Sequence, residues 1–408
     1  MSRPEVVVTG VGLLTPAGIG AGATFAGLCA GRPTARPDPE LRGEPVDFSC
    51  AVPGLHAEQV LGRRLSGRTD RFTHMAILAA REAVADAGLS PRQWPAAERV
   101  GVLLGSAGSA TAAMFRETQH YLSGRRDRIS PMTAVCCTPN ASVTEVTIDL
   151  GARGPGFALS SACAAGNQAI ALGCDLLRSG VCDIVVAGGS ESARTVVNAL
   201  LLGRLMALSR RRDDPAGACR PFDAARDGLV LGEGAGVLVL ERWRDAAARG
   251  VTPRAVLAGH GAVSDAYHYV APEPEGRGAE EAMRAALADA GLSPGDIDHV
   301  NAHATGTPAG DLAEARALRR LFVDVPPVTA LKSQIGHALG AAGAIESAVA
   351  VLSLTQQTIP PTANLDHQDP AIGLDVVHRD ARLVPLQAVM SNSFGFGGHN
   401  SVLVFTSD

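Results

Sequence analysis

The chain has 408 residues, 46% hydrophobic and 19% charged, with a formal net charge of −5. That is a globular composition long enough for two domain-sized units; its mild acidity argues against a general nucleic-acid binder, and no uninterrupted apolar run reaches the ~18 residues of a membrane span. Its eight cysteines follow no framework spacing and include no C-x-x-C pair, so neither zinc nor a dithiol redox motif is expected and a reducing, cytoplasmic setting fits.

In chain order, "EVVVTG" (5–10) reads as a first strand and not as a signal peptide. The overlapping "GVGLLT" (10–15) has Thr15 where a dinucleotide fingerprint needs its third glycine, and "GEGAG" (232–236) lacks the lysine of a phosphate loop. Both are expected to be tight strand connections. "MAILAAREAVADAG" (75–88) has helical spacing with Gly88 as its C-cap, and "RVGVLLGS" (99–106) follows as a strand. Adjacent Cys136 and Cys137 read as small buried side chains. In "LSSACAAGNQAIALGCDLLRSG" (159–180), Cys163 lies among small residues ahead of a helical run. Free backbone N–H groups and the helix dipole favour a thiolate there, and small neighbours permit the sharp turn that presents sulfur to a substrate. "CDIVVAGG" (182–189) and "AGVLVLE" (235–241) are further strands, after which "RDAAARGVTPRA" (244–255) marks a seam. It divides the chain into 1–250 and 251–408.

Beyond the seam come "RAVLAGHG" (254–261), the helical "AEEAMRAALADAG" (279–291), the strand "DHVNAHAT" (298–305) and a last strand, "SVLVF" (401–405). The heptapeptide "ADAGLSP" occurs at 85–91 and again at 288–294, each time closing a helix and preceding a strand. Strands alternating with helices in two matching halves predict a duplicated α/β fold. The second half also concentrates polar chemistry: His303, Thr305, Thr307, Asp311 and Glu314, then Lys332 and His337, then the Gly-rich "SNSFGFGGHN" (391–400). Lys332 is the single lysine among 36 Lys and Arg. A site that keeps a compact ammonium where the chain otherwise writes guanidinium needs the smaller head.

Together these segments resemble the elongating β-ketoacyl-acyl-carrier-protein synthases of the I/II type, through "ACAAG", "RPFDAARDGLVLGEGAG", "SDAYH", "HATGT", "LKSQIGH" and "GFGG". The resemblance implies a thiolase-like fold, with two duplicated halves in a five-layer αβαβα sandwich, usually dimeric. It implies Cys163 as the nucleophile that accepts the acyl chain. His303 and His337 would assist malonyl decarboxylation and stabilise the enolate oxygen. The N–H groups of Cys163 and Phe396 would form the oxyanion hole, with Phe396 also the gate. Thr305 and Thr307 would line a pantetheine tunnel, Gly108, Leu202 and Phe394 an acyl pocket, and Asn400 would shape the loop. Glu314 is expected to contact Lys332.

No metal or organic cofactor is implied, since phosphopantetheine arrives on an acyl carrier protein. That acidic partner would be steered by one of three basic clusters: Arg63, Arg64 and Arg68; Arg125, Arg126 and Arg128; or Arg210, Arg211 and Arg212. The partner within the dimer is a second copy or a paralogous chain-length subunit. Departures lie around the pocket: Leu202 for the family's usual Phe, Leu200–Leu201 for paired glycines, Gly108 for a larger aliphatic residue, and "TAVCCTPNAS" (133–142) at the expected interface. They favour specialised polyketide over fatty-acid synthesis. A non-catalytic chain-length partner shares the fold but lacks the cysteine, thiolases need a second cysteine in the C-terminal loop, and priming-type synthases carry Asn at the place of His337.

Overall fold

The computed structural model describes residues 5–108 and 110–407. The main strands of the first half are β1 (Val6–Thr15), β2 (Val100–Gly105), β3 (Gly156–Leu159), β4 (Ile184–Ser192) and β5 (Glu233–Arg242). Their spatial order is β3-β2-β4-β5-β1. The second half repeats it with β6 (Ala255–Ser264), β7 (His299–Asn301), β8 (Val328–Thr329), β9 (Ala388–Gly395) and β10 (His399–Thr406), in the order β8-β7-β9-β10-β6. The directions repeat too. β2 runs parallel to β3 and β4, and β5 is antiparallel to β4 and β1. β7 runs parallel to β8 and β9, and β10 is antiparallel to β9 and β6. The halves join where β1 meets β6 antiparallel, Val7 opposite Val256 and Val8 opposite Ala255. The sequence repeat is therefore a structural one.

The main helices are α1 (Arg71–Asp86), α2 (Thr111–Leu122), α3 (Ala141–Leu150), α4 (Ala165–Arg178), α5 (Val196–Arg204), α6 (Arg277–Ala290), α7 (Pro308–Leu321) and α8 (Ala342–Gln356). The repeated heptapeptide ends α1 and α6, where Gly88 and Gly291 take φ 66° and 68°. Helices α4 and α8 pack together and touch strands of both halves. α1 and α3 cover the outer face of the first half, and α6 and α7 that of the second. Five layers result, α/β/α/β/α. Buried on both faces, β1, β4 and β5 read as near-continuous apolar runs. The central cluster (Leu13, Ile170, Leu238, Ile345, Val349, Phe405) fills the space around α4 and α8.

One expectation changes. The glycines of "GVGLLT" and "GEGAG" lie within β1 and at the start of β5, not in connections. A Cβ at Gly10 or Gly12 would fall 2.0 Å from Ala83 O or Ala79 O, so these glycines admit α1 against the strand. Leu339–Gln356 is apolar enough by length and composition to cross a bilayer, although 83% of it is buried inside the protein. It comprises the turn Leu339–Ala341 and the central helix α8, and Glu346 and two serines within it break the uninterrupted run sought in the sequence.

Candidate active site

β3 ends at Leu159 and α4 begins at Ala165, leaving five residues for a reversal. Ala162 takes φ 51°, a left-handed conformation that costs a residue with a Cβ and marks the turn as strained. Beneath it Gly105 closes β2, where a Cβ would lie 2.3 Å from Ala165 C. Glycine lets the backbone of α4 descend onto the strand. Cys163 is thereby set at the helix N-terminus, only 6% exposed. Burial raises its thiol to about 11, outweighing the opposing pull of the Lys332 charge and of the Phe396 and Cys163 N–H groups. Burial thus overrides the thiolate expected ahead of the helix, and the resting group is a thiol.

The two histidines arrive from the other half. His303 follows β7, and Glu314 on α7 pins that turn by accepting the N–H groups of His303 at 2.9 Å and Ala304 at 2.8 Å. His337 follows Gly336, whose φ of 68° turns the chain after the short helix Lys332–Ile335. Its N–H donates to Val230 O at 2.7 Å. His337 Nε2 stands 3.0 Å from Cys163 Sγ. The two imidazoles are 5.4 Å apart edge to face, and Phe394 packs 5.9 Å from His303. Burial first, and then the Lys332 charge, hold both imidazoles well below the usual histidine range. Both rings are neutral. The sulfur and ring nitrogens lie within 4.8 Å of one another, a spacing that a metal ion could also exploit.

Lys332 is 1% exposed, and Nζ donates to Glu346 Oε1 on α8 at 2.6 Å. This corrects the expected Glu314 contact. Glu314 spends its oxygens on two backbone N–H groups and on Asn392 Nδ2 at 3.0 Å, and touches Lys332 only through the field. Burial raises Glu346 to about 7 against the pull of Lys332. Glu346 was legible in part: between Lys332 and Asp366 it is the only Asp, Glu, Lys or Arg. Nothing in the sequence said that the lone acid faces the lone lysine. Asn392 and Ser393 were also missed as site residues; Ser393 Oγ donates to Cys163 O at 2.8 Å.

Cys163, both histidines, Leu202, Phe394 and Phe396 line one cavity of about 350 Å³. Thr305 and Thr307 line it too, their hydroxyls 3.0 Å apart. β9 brings Gly395 against the nucleophile turn, where a Cβ would lie 2.7 Å from Ser161 O and 3.0 Å from Cys163 N. That approach aims Phe396 N–H at the sulfur. Asn400 Nδ2 donates to Asp265 Oδ1 at 2.6 Å and to Gly398 O at 3.2 Å, bracing the Gly-rich loop.

Residues 3–246 match the family model "Beta-ketoacyl synthase, N-terminal domain" and residues 254–366 match "Beta-ketoacyl synthase, C-terminal domain". The chain belongs to the β-ketoacyl synthase family. As such it is an acyltransferase. It is 39% identical to 3-oxoacyl-[acyl-carrier-protein] synthase 2 of Staphylococcus aureus (strain COL), over 98% of each chain. A β-ketoacyl synthase from Burkholderia phymatum STM815 superposes with a TM-score of 0.93 at 34% identity, over 99% of this chain and 100% of that one. A chain of the ishigamide ketosynthase/chain length factor does so with 0.92 at 33%, over the whole of both.

The acyl-pocket expectation for Gly108 meets a different geometry. Gly108 does not line the cavity that holds Cys163. It lines a second one of about 400 Å³ with Thr111, Met114, Phe115, Cys137 and Val197. Helix α5 contributes Val197 to this outer cavity and Leu202 to the catalytic one. Among the basic clusters, Arg63 pairs with Glu58, Arg68 with Glu145, Arg211 with Asp227 and Arg212 with Asp47. Arg125 donates to Ser123 Oγ and Arg126 lies over the Tyr121 ring. Arg64, Arg125, Arg126, Arg128 and Arg210 are exposed and without ion pairs among the described residues.

Proposed function

We propose that this ketosynthase transfers an acyl chain from an acyl carrier protein to Cys163 and condenses it with a carrier-bound malonyl thioester. The observation that carries this is the buried Cys163–His337 contact of 3.0 Å, with His303 beside it and Lys332 behind it. In the first half-reaction Sγ attacks the thioester carbonyl, and His337 Nε2 takes the thiol proton and passes it to the departing pantetheine sulfur. The Cys163 and Phe396 N–H groups receive the oxyanion. In the second, the malonyl C–C bond breaks to release carbon dioxide, and the His303 and His337 N–H groups hold the enolate oxygen. The carbon then attacks the acyl group on Cys163, and the freed thiolate recovers a proton from solvent. Neutral imidazoles suit both tasks, as acceptor in one and donor in the other. Nδ1 of each ring is buried with no protein partner among the described residues, so nothing in the chain pins one tautomer.

Thr305 and Thr307 present hydroxyls to the arm of the carrier's phosphopantetheine, which makes a further cofactor unnecessary. The Lys332 field, which adds to burial in keeping the imidazoles neutral, also opposes a metal cation. Of the type II settings we favour specialised polyketide over fatty-acid synthesis, because Leu202 enlarges the pocket relative to the family's usual Phe. The complete Cys–His–His set argues against a passive chain-length subunit. The edge strand β3, with exposed Phe157, supports a dimer with a second copy or a paralogous partner. A reducing, cytoplasmic setting suits the eight free thiols. Mass spectrometry after incubation with acyl-carrier thioester should find one acyl group on Cys163, transferred on addition of malonyl-carrier and missing in Cys163→Ala. A parent enzyme that takes no acyl group, or a Cys163→Ala variant that still condenses, refutes the proposal.

A further inference from the structure

The two N–H donors assigned to the oxyanion come from different halves of the molecule. Cys163 opens α4, and Phe396 follows β9. Asn167, fully buried in the first turn of α4, connects these pieces. Its Nδ2 donates to Ser391 O on β9 at 3.2 Å and to Ser401 O on β10 at 3.3 Å. Its Oδ1 accepts from Ser347 Oγ on α8 at 2.9 Å. Two carbonyls on one side and a hydroxyl on the other fix the orientation of the amide.

Space for this brace comes from glycine on both central helices. A Cβ at Gly343 would lie 2.7 Å from Asn167 Oδ1 and 2.9 Å from Ser393 Oγ, and one at Gly166 would lie 2.7 Å from Ala344 N. The N-terminal turns of α4 and α8 therefore cross at backbone contact. From that crossing Asn167 reaches the hairpin whose strand β9 leads into Phe396.

We infer that Asn167 is a positioning residue that sets the separation between the Cys163 and Phe396 N–H groups, and so the shape of the oxyanion hole, without touching substrate. This rests on the ketosynthase reading, which identifies the two donors. Removing the amide leaves two buried carbonyls and a hydroxyl without it, a cost relieved by β9 shifting against α4. A misplacement near 1 Å in such a constellation costs about a hundredfold, and loss of one oxyanion donor costs ~10²–10³.

Two reactions of the same sulfur separate the hole from the thiol. Alkylation by iodoacetamide displaces iodide and builds no oxyanion, whereas acylation by acyl-carrier thioester does. In Asn167→Ala, acylation should fall about 10- to 100-fold while alkylation stays within about threefold of the parent. Ser347→Ala removes one of the three bonds and should lower acylation in the same sense by a few-fold, which keeps the test open if Asn167→Ala folds poorly. Acylation within a factor of about two of the parent in both variants, or acylation and alkylation falling together, overturns the proposal. A parent enzyme that is alkylated but never acylated removes the ketosynthase reading and this one with it, and that control tells the two failures apart.

Discussion

Replacing Lys332 by arginine keeps the charge and changes only its shape. Lys332 Nζ is fully buried, 2.6 Å from Glu346 Oε1, and its field reaches Cys163 and both histidines. A guanidinium is larger and planar, so forcing it into this site should cost ~1–3 kcal/mol by overpacking. Its fork also prefers two carboxylate oxygens. Glu346 presents both oxygens of a buried carboxylate on α8, so the fork is drawn toward α8 and away from the imidazoles. A displacement near 1 Å at a catalytic group costs about a hundredfold. Lys332→Arg should therefore melt a few degrees lower, lose about two orders of magnitude in malonyl decarboxylation and condensation, and lose less in acylation, where the Cys163–His337 contact survives. The assays are thermal melting, carbon dioxide release from malonyl-carrier, and acyl transfer followed by mass spectrometry. If all three rates stay within a factor of about two and melting is unchanged, the reasoning from head-group shape is wrong.

Gly395→Ala places a Cβ 2.7 Å from Ser161 O and 3.0 Å from Cys163 N, so acylation should drop by at least about tenfold as Phe396 N–H moves; an unchanged acylation rate would show that β9 does not set the donor. His299 is buried with neither ring nitrogen partnered among the described residues, and burial lowers it to about 3. The unfolded chain takes up this proton below pH ~6.5 and the folded chain does not, so its contribution is intact above pH ~6.5 and lost as pH falls toward 3. Between pH ~6.5 and 5 the loss is ~2 kcal/mol. His299→Leu should accordingly narrow the difference in Tm between pH 7 and pH 5, and an unaltered difference contradicts this. Charge reversal at Arg64, at Arg210, or at Arg125, Arg126 and Arg128 together should raise the carrier KM and weaken its salt dependence in the cluster that docks the carrier. Equal KM values for all three at low salt would leave docking without these cations.

Much of the architecture was legible in the chain itself. The repeated heptapeptide marks equivalent points because glycine at φ near 67° ends α1 and α6 alike. The apolar runs mark central strands because burial on both faces removes any alternation. Cys163, His303, His337 and Lys332 stood out because each is an unusual residue in its local setting, a property that needs no third dimension. Pairings across the sequence were not legible. Lys332 meets Glu346 and not Glu314 because α8 runs through the middle layer, where its single acid faces the single lysine, while Glu314 on the outer helix α7 is occupied by the backbone it pins. Gly108 lies in a separate cavity, and α5 lines both, giving Val197 to one and Leu202 to the other. Four of the nine cluster arginines pair with acids, one of them as distant in sequence as Asp47 is from Arg212. The Cys163 and Phe396 N–H groups come from opposite halves, and the asparagine that ties α4 to β9 and β10 looks ordinary in its helix. Sequence determines which groups are present and how each segment folds locally, because those properties depend on near neighbours. Only the packing of the two halves decides which group faces which, because that depends on close backbone contacts, such as those at Gly166, Gly343 and Gly395, between segments far apart in the chain.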